Sequence, residues 1–221
     1  MEHISEVLGN LSPETNITGQ KIIEPQAYYE DGLTLEERRE QLRKSLGVSS
    51  LEHTFENFWP VKGTREALAA FRALAQGKTS WKMLLCYGGV GNGKTHLCEA
   101  SAIALYKRGL FCRVLTMARI MRALKQHMEP GLPFSYDELM EHYCSSERLI
   151  IDEIEGTEWE FGRLQEIVVA RSRDCLFTIL ATNRDLNELP ERIVSRFSDP
   201  DVGRLILNEG VDYRKLKLKG G

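Results

Sequence analysis

Residues 88–95 have the sequence Gly88-Gly89-Val90-Gly91-Asn92-Gly93-Lys94-Thr95, which fits the phosphate-binding pattern G-x-x-x-x-G-K-S/T at every position. Residues 81–87 form an apolar run that predicts a buried strand, and residues 96–106 have the apolar spacing of a helix. The backbone N–H groups of a glycine loop converge on one point, and the start of a helix adds a positive field. This order of elements predicts a nucleoside triphosphate site rather than a solvated glycine turn.

Side chains at the end of this segment have separate predicted roles. We expect Lys94 to reach the outer phosphates of the nucleotide and the Thr95 hydroxyl to hold Mg²⁺. The residues predicted to bind the nucleotide are Gly88, Gly89, Val90, Gly91, Asn92, Gly93, Lys94, Thr95 and His96.

Bulk composition limits the class of protein. The chain has 221 residues, 42% of them hydrophobic and 28% charged, which suits one α/β domain with an appendage. The net charge of −3 excludes a polycation, so a nucleic-acid contact would need a local basic patch. No apolar run approaches the ~20 residues that span a bilayer, and residues 1–10 lack the features of a signal peptide. We therefore expect a cytoplasmic protein without a membrane partner.

The cysteines argue against a zinc site and against disulfides, because their number is odd, five, and none forms a C-x-x-C pair. Cys86, Cys112 and Cys175 lie in or beside apolar runs, and Cys98 lies on a predicted helix. This distribution predicts buried, reduced thiols.

From residue 81 onward, predicted strands alternate with predicted helices, which is typical of a parallel sheet with helices on both faces. This pattern places the chain in the α/β class. The predicted strands are 82–87, 111–116, 148–152, 176–182 and 204–207. The predicted helices are 94–107, 118–127, 135–143, 158–172 and 189–197.

Two more helices are predicted before the sheet. Thr34 and Glu37 have the spacing of a capping box that starts a charged helix ending near Gly47. The apolar stripe of this helix is narrow, so it is either a solvated helix on the main domain or a partner-binding helix. A second helix is predicted at 64–76, with Thr64 as its N-cap.

Polar residues end two of the predicted strands. Asp152 and Glu153 follow the apolar run 149–151, and Asn183 follows the run 176–182. The carboxyl ends of parallel strands meet at the ligand-binding edge of such a sheet. Beside a complete phosphate loop, we expect Asp152 to hold Mg²⁺ through water and Glu153 to polarise the attacking water. Asn183 is expected to orient that water or to bind the γ-phosphate.

Arg192 and Arg196 lie four residues apart on the last predicted helix and therefore share one face. A guanidinium aimed at the γ-phosphate of a neighbouring subunit would act as an arginine finger. The alternative is a surface arginine that pairs with Glu188 or Asp199. The residues alone do not decide between the two.

Taken together, the motifs resemble those of AAA+ ATPases of the DnaC/IstB-like group, the bacterial or phage helicase loaders and transposase helpers. The resemblance runs from about residue 54 to residue 214. The phosphate loop and the acidic strand end are motifs that many ATPases share. The pair Glu158-Trp159 and residues 189–197 are more specific to this group. The other matching segments are Thr54-Phe55-Glu56-Asn57-Phe58 and Ala181-Thr182-Asn183.

The resemblance implies ATP as the nucleotide and an AAA+ core with a five-stranded parallel sheet in the order 5-1-4-3-2. Asn183 then matches sensor 1, and Arg196 matches an arginine finger that reaches the ATP of an adjacent copy. Adenine is placed near residues 55–60, so Phe58 is a predicted nucleotide contact, although side-chain chemistry alone favours the core for it. Only 24 residues follow Phe197, so we expect no full helical lid and weak hydrolysis by the isolated protein.

The resemblance also implies partners, namely single-stranded DNA and a replicative DNA helicase. A helical insert implicated in DNA contact matches residues 117–143 and carries Arg119, Arg122 and Lys125. These cations would neutralise phosphates without reading sequence, and an ordinary solvated helix face is the alternative. The expected organisation is a partner-binding or linker region at 1–50, the ATPase domain at 51–214 and a basic tail at 215–221.

Other functions fit part of the sequence. A transposition helper of the IstB type would share the ATPase and would differ in its partner, a transposase. A small-metabolite kinase needs a mobile arginine-bearing lid, whereas Asp152, Glu153 and Asn183 suit activation of water. An adaptor would bind ATP only to hold its shape. The favoured prediction is an ATP-hydrolysing helicase loader.

Overall fold

A parallel sheet of five strands forms the centre of the fold in the computed structural model, which describes residues 33–128 and 133–213. The strands are β1 (Met83–Tyr87), β2 (Val114–Thr116), β3 (Arg148–Asp152), β4 (Phe177–Thr182) and β5 (Gly203–Leu207). Their order in the sheet is β2-β3-β4-β1-β5, which confirms the order 5-1-4-3-2 implied by the resemblance.

The described part of the chain also contains all the predicted helices. They are α1 (Leu35–Leu46), α2 (Arg65–Ala75), α3 (Lys94–Tyr106), α4 (Met117–Gln126), α5 (Tyr136–Ser145), α6 (Glu158–Arg173) and α7 (Glu191–Ser198). Each helix begins and ends within two residues of its predicted bounds, a difference that is common where the last turn of a helix frays. Within residues 33–128 and 133–213, no full helical lid domain follows the sheet.

Two predicted boundaries need correction. The strand predicted at 111–116 begins only at Val114, because β2 lies at the sheet edge and forms just three pairs with its single neighbour, β3. The helix predicted at 189–197 begins at Glu191, since Pro190 occupies the N-cap position with a φ of −54°. Proline lacks a backbone N–H and is best accommodated where a helix starts.

Helices cover both faces of the sheet. Along β1, Leu84 and Cys86 belong to a buried cluster that includes Phe71 of α2 and side chains of α3. Met83 and Leu85 belong to a second buried cluster with side chains from α4, α6 and α7. Alternate residues of a strand point to opposite faces, so the central strands are buried on both sides, as the continuous apolar runs predict.

The chain divides into two compact units, Met1–Arg38 and Arg39–Gly221. In the first unit the predicted capping box is present: the Thr34 N–H donates to Glu37 Oε2 (2.8 Å) and the Glu37 N–H donates to Thr34 Oγ1 (3.2 Å). The domain boundary near residue 50 remains a prediction, and the predictions for 1–32 and 215–221 lie outside the described residues. None of the described helices is long and apolar enough to cross a membrane.

Arg171 of α6 is fully buried and joins α6 to its neighbours. Its guanidinium donates to the Thr178 hydroxyl (2.9 Å) and to the carbonyl oxygens of Tyr143 (2.9 Å), Ser146 (2.8 Å) and Phe177 (2.7 Å). Burial lowers the pKa of Arg171 to about 10. Because neutral oxygens surround this cation, its charge is satisfied by hydrogen bonds rather than by an ion pair.

All five cysteines are free. Cys86, Cys98 and Cys112 are buried as predicted, and burial raises the pKa of Cys86 and of Cys112 to about 12. The prediction that Cys175 is buried is wrong, because this residue lies exposed in the turn after α6, with a φ of 49°. Cys144 is half-buried.

Candidate nucleotide site

The phosphate loop joins the carboxyl end of β1 to the start of α3, as predicted. Gly88 and Gly93 have φ values of 132° and 91°, a backbone conformation that residues with a Cβ atom rarely adopt. A Cβ atom on Gly88 would lie 2.4 Å from the Asn208 carbonyl oxygen, and one on Gly93 would lie 2.7 Å from Cε2 of Phe58. The surrounding structure therefore requires glycine at both positions.

Lys94 lies inside this loop and is only 5% exposed. Its Nζ donates to the carbonyl oxygens of Gly88 and Gly89 (both 2.7 Å) and to Oδ1 of Asn92 (3.1 Å). Burial lowers the pKa of Lys94. The ammonium is thus held at the centre of the loop by neutral oxygens, where it can turn toward an incoming phosphate.

Three strand ends converge beside the loop. Strand β4 lies between β1 and β3, and Tyr87 at the end of β1 is level with Thr182 at the end of β4. Asp152 at the end of β3 is 5% exposed and lies close to Thr95. Burial raises the pKa of Asp152, and the interaction with the Thr95 hydroxyl opposes that rise. The structure therefore brings together the hydroxyl and the carboxylate predicted to hold Mg²⁺.

Glu153 and Asn183 are both exposed at this edge of the sheet. The loops that carry them are tied together, because the Ile154 N–H donates to the Ala181 carbonyl (3.1 Å) and the Thr182 hydroxyl donates to the Ile154 carbonyl (2.9 Å). Glu153 has a φ of 53°, a left-handed conformation that is uncommon outside glycine. This geometry leaves both polar side chains available to a ligand at the loop.

Arg196 projects from α7 into solvent, as does Arg192. Ile193 and Phe197 on the opposite side of the helix are buried. Within residues 33–128 and 133–213, neither arginine forms a side-chain hydrogen bond or an ion pair, so the pairing with Glu188 or Asp199 is not observed there. The predicted finger is thus exposed for contact with another molecule.

Phe58 and His96 lie against the start of α3. The Phe58 ring is 6% exposed and meets the His96 ring edge-on, with 5.2 Å between ring centroids. His96 Nε2 is 2.8 Å from the Thr54 carbonyl oxygen, and its ring stacks on His53 at 4.6 Å. Phe58 is therefore both a core residue and a neighbour of the loop. His96 also fastens the segment around Thr54 to α3.

Two functional candidates were missed by the sequence analysis, Asn208 and Tyr213, which lie just beyond β5. Asn208 is fully buried and exchanges hydrogen bonds with Asn92: the Asn208 amide donates to the Asn92 carbonyl (3.0 Å), and the Asn92 amide donates to the Asn208 carbonyl. The Tyr213 N–H donates to the Gly91 carbonyl (2.9 Å). The strand-end argument used for Asp152 applies to β5 as well, and it would have found Asn208.

The cations predicted to contact DNA lie on α4 and differ in their surroundings. Arg119 and Arg122 are exposed, and no described carboxylate pairs with either. Lys125 forms an ion pair with Glu160 (2.8 Å) and lies 5.3 Å from the centroid of the Trp159 ring. An incoming phosphate would have to compete with Glu160 for Lys125, whereas the two arginines are unneutralised.

The sheet order, the phosphate loop and the acidic end of β3 together define a P-loop ATPase of the AAA+ class. The sequence profile of the bacterial DnaA ATPase domain matches residues 50–201, more than half of the chain. The chain belongs to this family and is an AAA+ ATPase related to replication proteins.

Sequence relatives support this assignment. The chromosomal replication initiator protein DnaA of Bordetella pertussis (strain Tohama I) is 31% identical over 154 residues, which cover 65% of this chain and 32% of that protein. DnaA of Lactobacillus helveticus is 27% identical over 199 residues, covering 84% of this chain and 42% of that protein. The chain thus spans about a third of the length of the first curated relatives it matches.

Solved structures show the same fold. AMPPCP-bound DnaA from Aquifex aeolicus is 26% identical, with a TM-score of 0.62, and the match covers 76% of this chain and 55% of that one. The DnaC helicase loader is 20% identical, with a TM-score of 0.58, over 72% of this chain and 97% of that one, and it shares the fold alone. The AAA+ ATPase resemblance is therefore confirmed.

Proposed function

We propose that this protein hydrolyses ATP with Mg²⁺ as a replication accessory factor, and that it loads a replicative helicase onto single-stranded DNA. The main support is the pair formed by Thr95 and the buried Asp152 beneath the phosphate loop. A hydroxyl and a carboxylate are oxygen ligands of the kind that Mg²⁺ prefers. When bound, Mg²⁺ would neutralise charge on the phosphate oxygens.

The remaining groups have complementary roles in the proposed reaction. The loop N–H groups and Lys94 hold the β- and γ-phosphates. Glu153 polarises the attacking water, and Asn183 orients it against the γ-phosphate. Arg196 of an adjacent copy completes the site, which agrees with its exposure and its lack of a described partner. Turnover by the isolated protein is accordingly weak and increases when copies assemble.

DNA and helicase contacts are proposed on separate surfaces. Arg119 and Arg122 supply unneutralised charge for phosphates, and one similar structure, 27% identical, is of a replication initiator DnaA bound to AMPPCP and single-stranded DNA. The region before residue 50 is the proposed helicase contact. A transposition helper remains the second candidate, and pull-down against a transposase and a replicative helicase separates the two: capture of the transposase alone contradicts helicase loading.

The test is an ATPase assay with and without single-stranded DNA. Lys94→Ala should abolish turnover through loss of ATP binding. Arg196→Ala should lower turnover at least ~10-fold without loss of ATP binding, because a finger acts on the transition state. Arg173→Ala, which removes another exposed arginine, is the matched control and should behave as wild type.

Mixing the two inactive variants tests whether copies share a site. An Arg196→Ala subunit retains its phosphate loop, and a Lys94→Ala neighbour supplies an intact Arg196. Restored turnover in the mixture supports the proposal. Wild-type turnover by Arg196→Ala, or a mixture as inactive as its components, contradicts it.

A further inference from the structure

Four cations lie along the edge of the sheet formed by β2. Arg113 immediately precedes β2, Lys44 lies on α1, and Arg119 and Arg122 lie on α4. We call this set the cationic edge. No carboxylate in the described part of the chain pairs with any of its three arginines, and Lys44 shares the carboxylate of Glu40 with Arg43. The cationic edge therefore carries a net positive charge on a protein whose overall charge is −3.

Close packing fixes the Arg113 side chain against the backbone at the end of α1, where Lys44 lies. Gly47, just after α1, has a φ of 66°, and a Cβ atom there would lie 2.3 Å from the Val114 carbonyl oxygen and 3.2 Å from Cγ of Arg113. Only glycine lets the chain press against the start of β2 in this way. The Arg113 guanidinium then donates to the Lys44 carbonyl oxygen (3.2 Å).

The other two cations lie on α4, and Arg119 is near Arg113. Burial and the nearby charge of Arg119 both lower the pKa of Arg113, so the two guanidinium groups repel each other. Arg113 and Arg119 also lie close to Tyr143. Burial raises the pKa of Tyr143, and the charges of the two arginines oppose that rise. Arg122 is one helical turn beyond Arg119 and is exposed. Neighbouring cations without counter-charges are unfavourable unless an anion neutralises them.

We propose that the cationic edge binds the phosphate backbone of single-stranded DNA, so that the strand runs from α4 past Arg113 to Lys44 at the end of α1. This inference rests on the proposed DNA-binding function and adds Arg113 and Lys44 to it. A strand of repeated phosphates matches a row of cations, whereas a single anion does not. Such contacts depend on salt and tolerate any sequence. The rival explanation is that these charges only keep an exposed edge strand from pairing with another chain.

The experiment measures binding of a fluorescent 25-nucleotide oligo-dT to the full-length protein with ATP, by anisotropy over a range of salt concentrations. Lys44→Gln is the first variant, because the side chain is 70% exposed and the change leaves packing intact. Arg113→Gln is compared with Arg113→Lys, which keeps the charge. The slope of log binding constant against log salt concentration is negative. Each lost phosphate contact should reduce its magnitude by about 0.7 and weaken binding roughly 5-fold near 0.1 M salt. Lys78→Gln and Lys107→Gln are exposed-charge controls with no expected effect.

The outcomes separate this inference from the proposed function. Shallower slopes for Lys44→Gln and Arg113→Gln, with Arg113→Lys near wild type, support the cationic edge. If only Arg119→Gln and Arg122→Gln make the slope shallower, DNA binding stays on α4 and this inference is wrong. If no variant changes the slope while ATP turnover is normal, the DNA contact on α4 is wrong as well. Aggregation of the glutamine variants with unchanged slopes supports the edge-protection explanation instead.

Discussion

Glu153 combines a proposed catalytic carboxylate with an unfavourable backbone conformation. Its φ of 53° lies in the left-handed region, where a Cβ atom is strained. Residues held in such conformations concentrate at functional sites, because the surrounding structure must impose them. Here Asp152 is fixed by its strand on one side, and Ile154 is fixed by its hydrogen bond to Ala181 on the other.

Substitution of Glu153 should separate function from stability. Glu153→Gln should lower ATP turnover by about 10²–10⁴-fold and preserve ATP binding, because only the base is lost. Glu153→Gly should lose turnover equally but raise the free energy of unfolding by roughly 0.5–1 kcal/mol, because glycine tolerates this φ. Turnover, nucleotide binding and the denaturation midpoint check these outcomes. Unchanged turnover in Glu153→Gln would favour the adaptor function.

The raised pKa of Asp152 predicts a pH dependence of nucleotide binding. Burial favours the neutral acid, so protonation on acidification begins at a higher pH than for an ordinary aspartate. Mg²⁺-dependent ATP affinity should fall as the pH drops through that raised pKa. The effect on folding has the opposite sign: the stability contributed by this group is present below the unfolded-state pKa and is lost as the pH rises through the folded-state pKa.

Titration of ATP at several pH values, with and without Mg²⁺, measures this effect. The difference between the two affinities should shrink on acidification in wild type. In Asp152→Asn the difference should be small at every pH, because the amide does not titrate. A wild-type difference that is constant from neutral to acidic pH would show that Asp152 does not hold the metal.

At the scale of secondary-structure elements, the end of β5 is hydrogen-bonded to the phosphate loop through Asn208. The Asn92 side chain accepts from Lys94, and Asn208 holds Asn92 by two hydrogen bonds. The residue after the edge strand β5 is thereby linked to the Lys94 ammonium through the Asn92 side chain, whose amide donates to the Asn208 backbone carbonyl. Asn208 is fully buried, so its expected role is to position Asn92 rather than to contact the nucleotide.

Removal of the Asn208 amide should loosen the loop. Asn208→Ala removes the donor to the buried Asn92 carbonyl, at a cost of about 1–3 kcal/mol, and keeps the Asn208 carbonyl that accepts from the Asn92 amide. We expect the KM for ATP to rise roughly 5- to 100-fold with a smaller change in kcat, alongside a lower denaturation midpoint. Asn187→Ala, at an exposed asparagine, is the control. A lower midpoint with an unchanged KM would assign Asn208 to stability alone.

Local sequence patterns predicted the helices, the strands and the phosphate loop. The features that were not predicted depend on contacts between residues far apart in the sequence. The order of elements, the loop at 88–95 and the strand end at Asp152 follow from short-range spacing and from the shared edge of a parallel sheet. The burial of Arg171 was not predictable, because its partners come from α5 and β4, which no local pattern links to it. Asn208 directly follows β5, so the strand-end argument could have singled it out, but its partner Asn92 lies on another loop and could not be predicted from local spacing.

At the scale of the whole molecule, thiol accessibility reports whether the fold is intact. Cys86, Cys98 and Cys112 are buried, and burial raises the pKa of each thiol, which suppresses the reactive thiolate. Cys175 is exposed. A thiol reagent should therefore label Cys175 rapidly in the native protein, Cys144 more slowly, and all five cysteines in denaturant.

Labelling of Cys175→Ser identifies the fast site. This variant should lose the rapid phase and retain ATP turnover, because the residue lies far along the chain from the phosphate loop and carries no proposed role. Rapid labelling of three or more thiols in native wild type would contradict the two buried clusters on the sheet.

Trp59 gives the protein an optical reporter of its own. Its side chain is 79% exposed, its carbonyl accepts a hydrogen bond from the Tyr213 hydroxyl, and the Tyr213 N–H is bonded to Gly91. The other two tryptophans lie elsewhere, Trp81 beneath Arg204 and Trp159 between Lys125 and Arg163. Nucleotide arrival at the loop should therefore shift or quench Trp59 emission, so occupancy can be followed in real time without an attached dye.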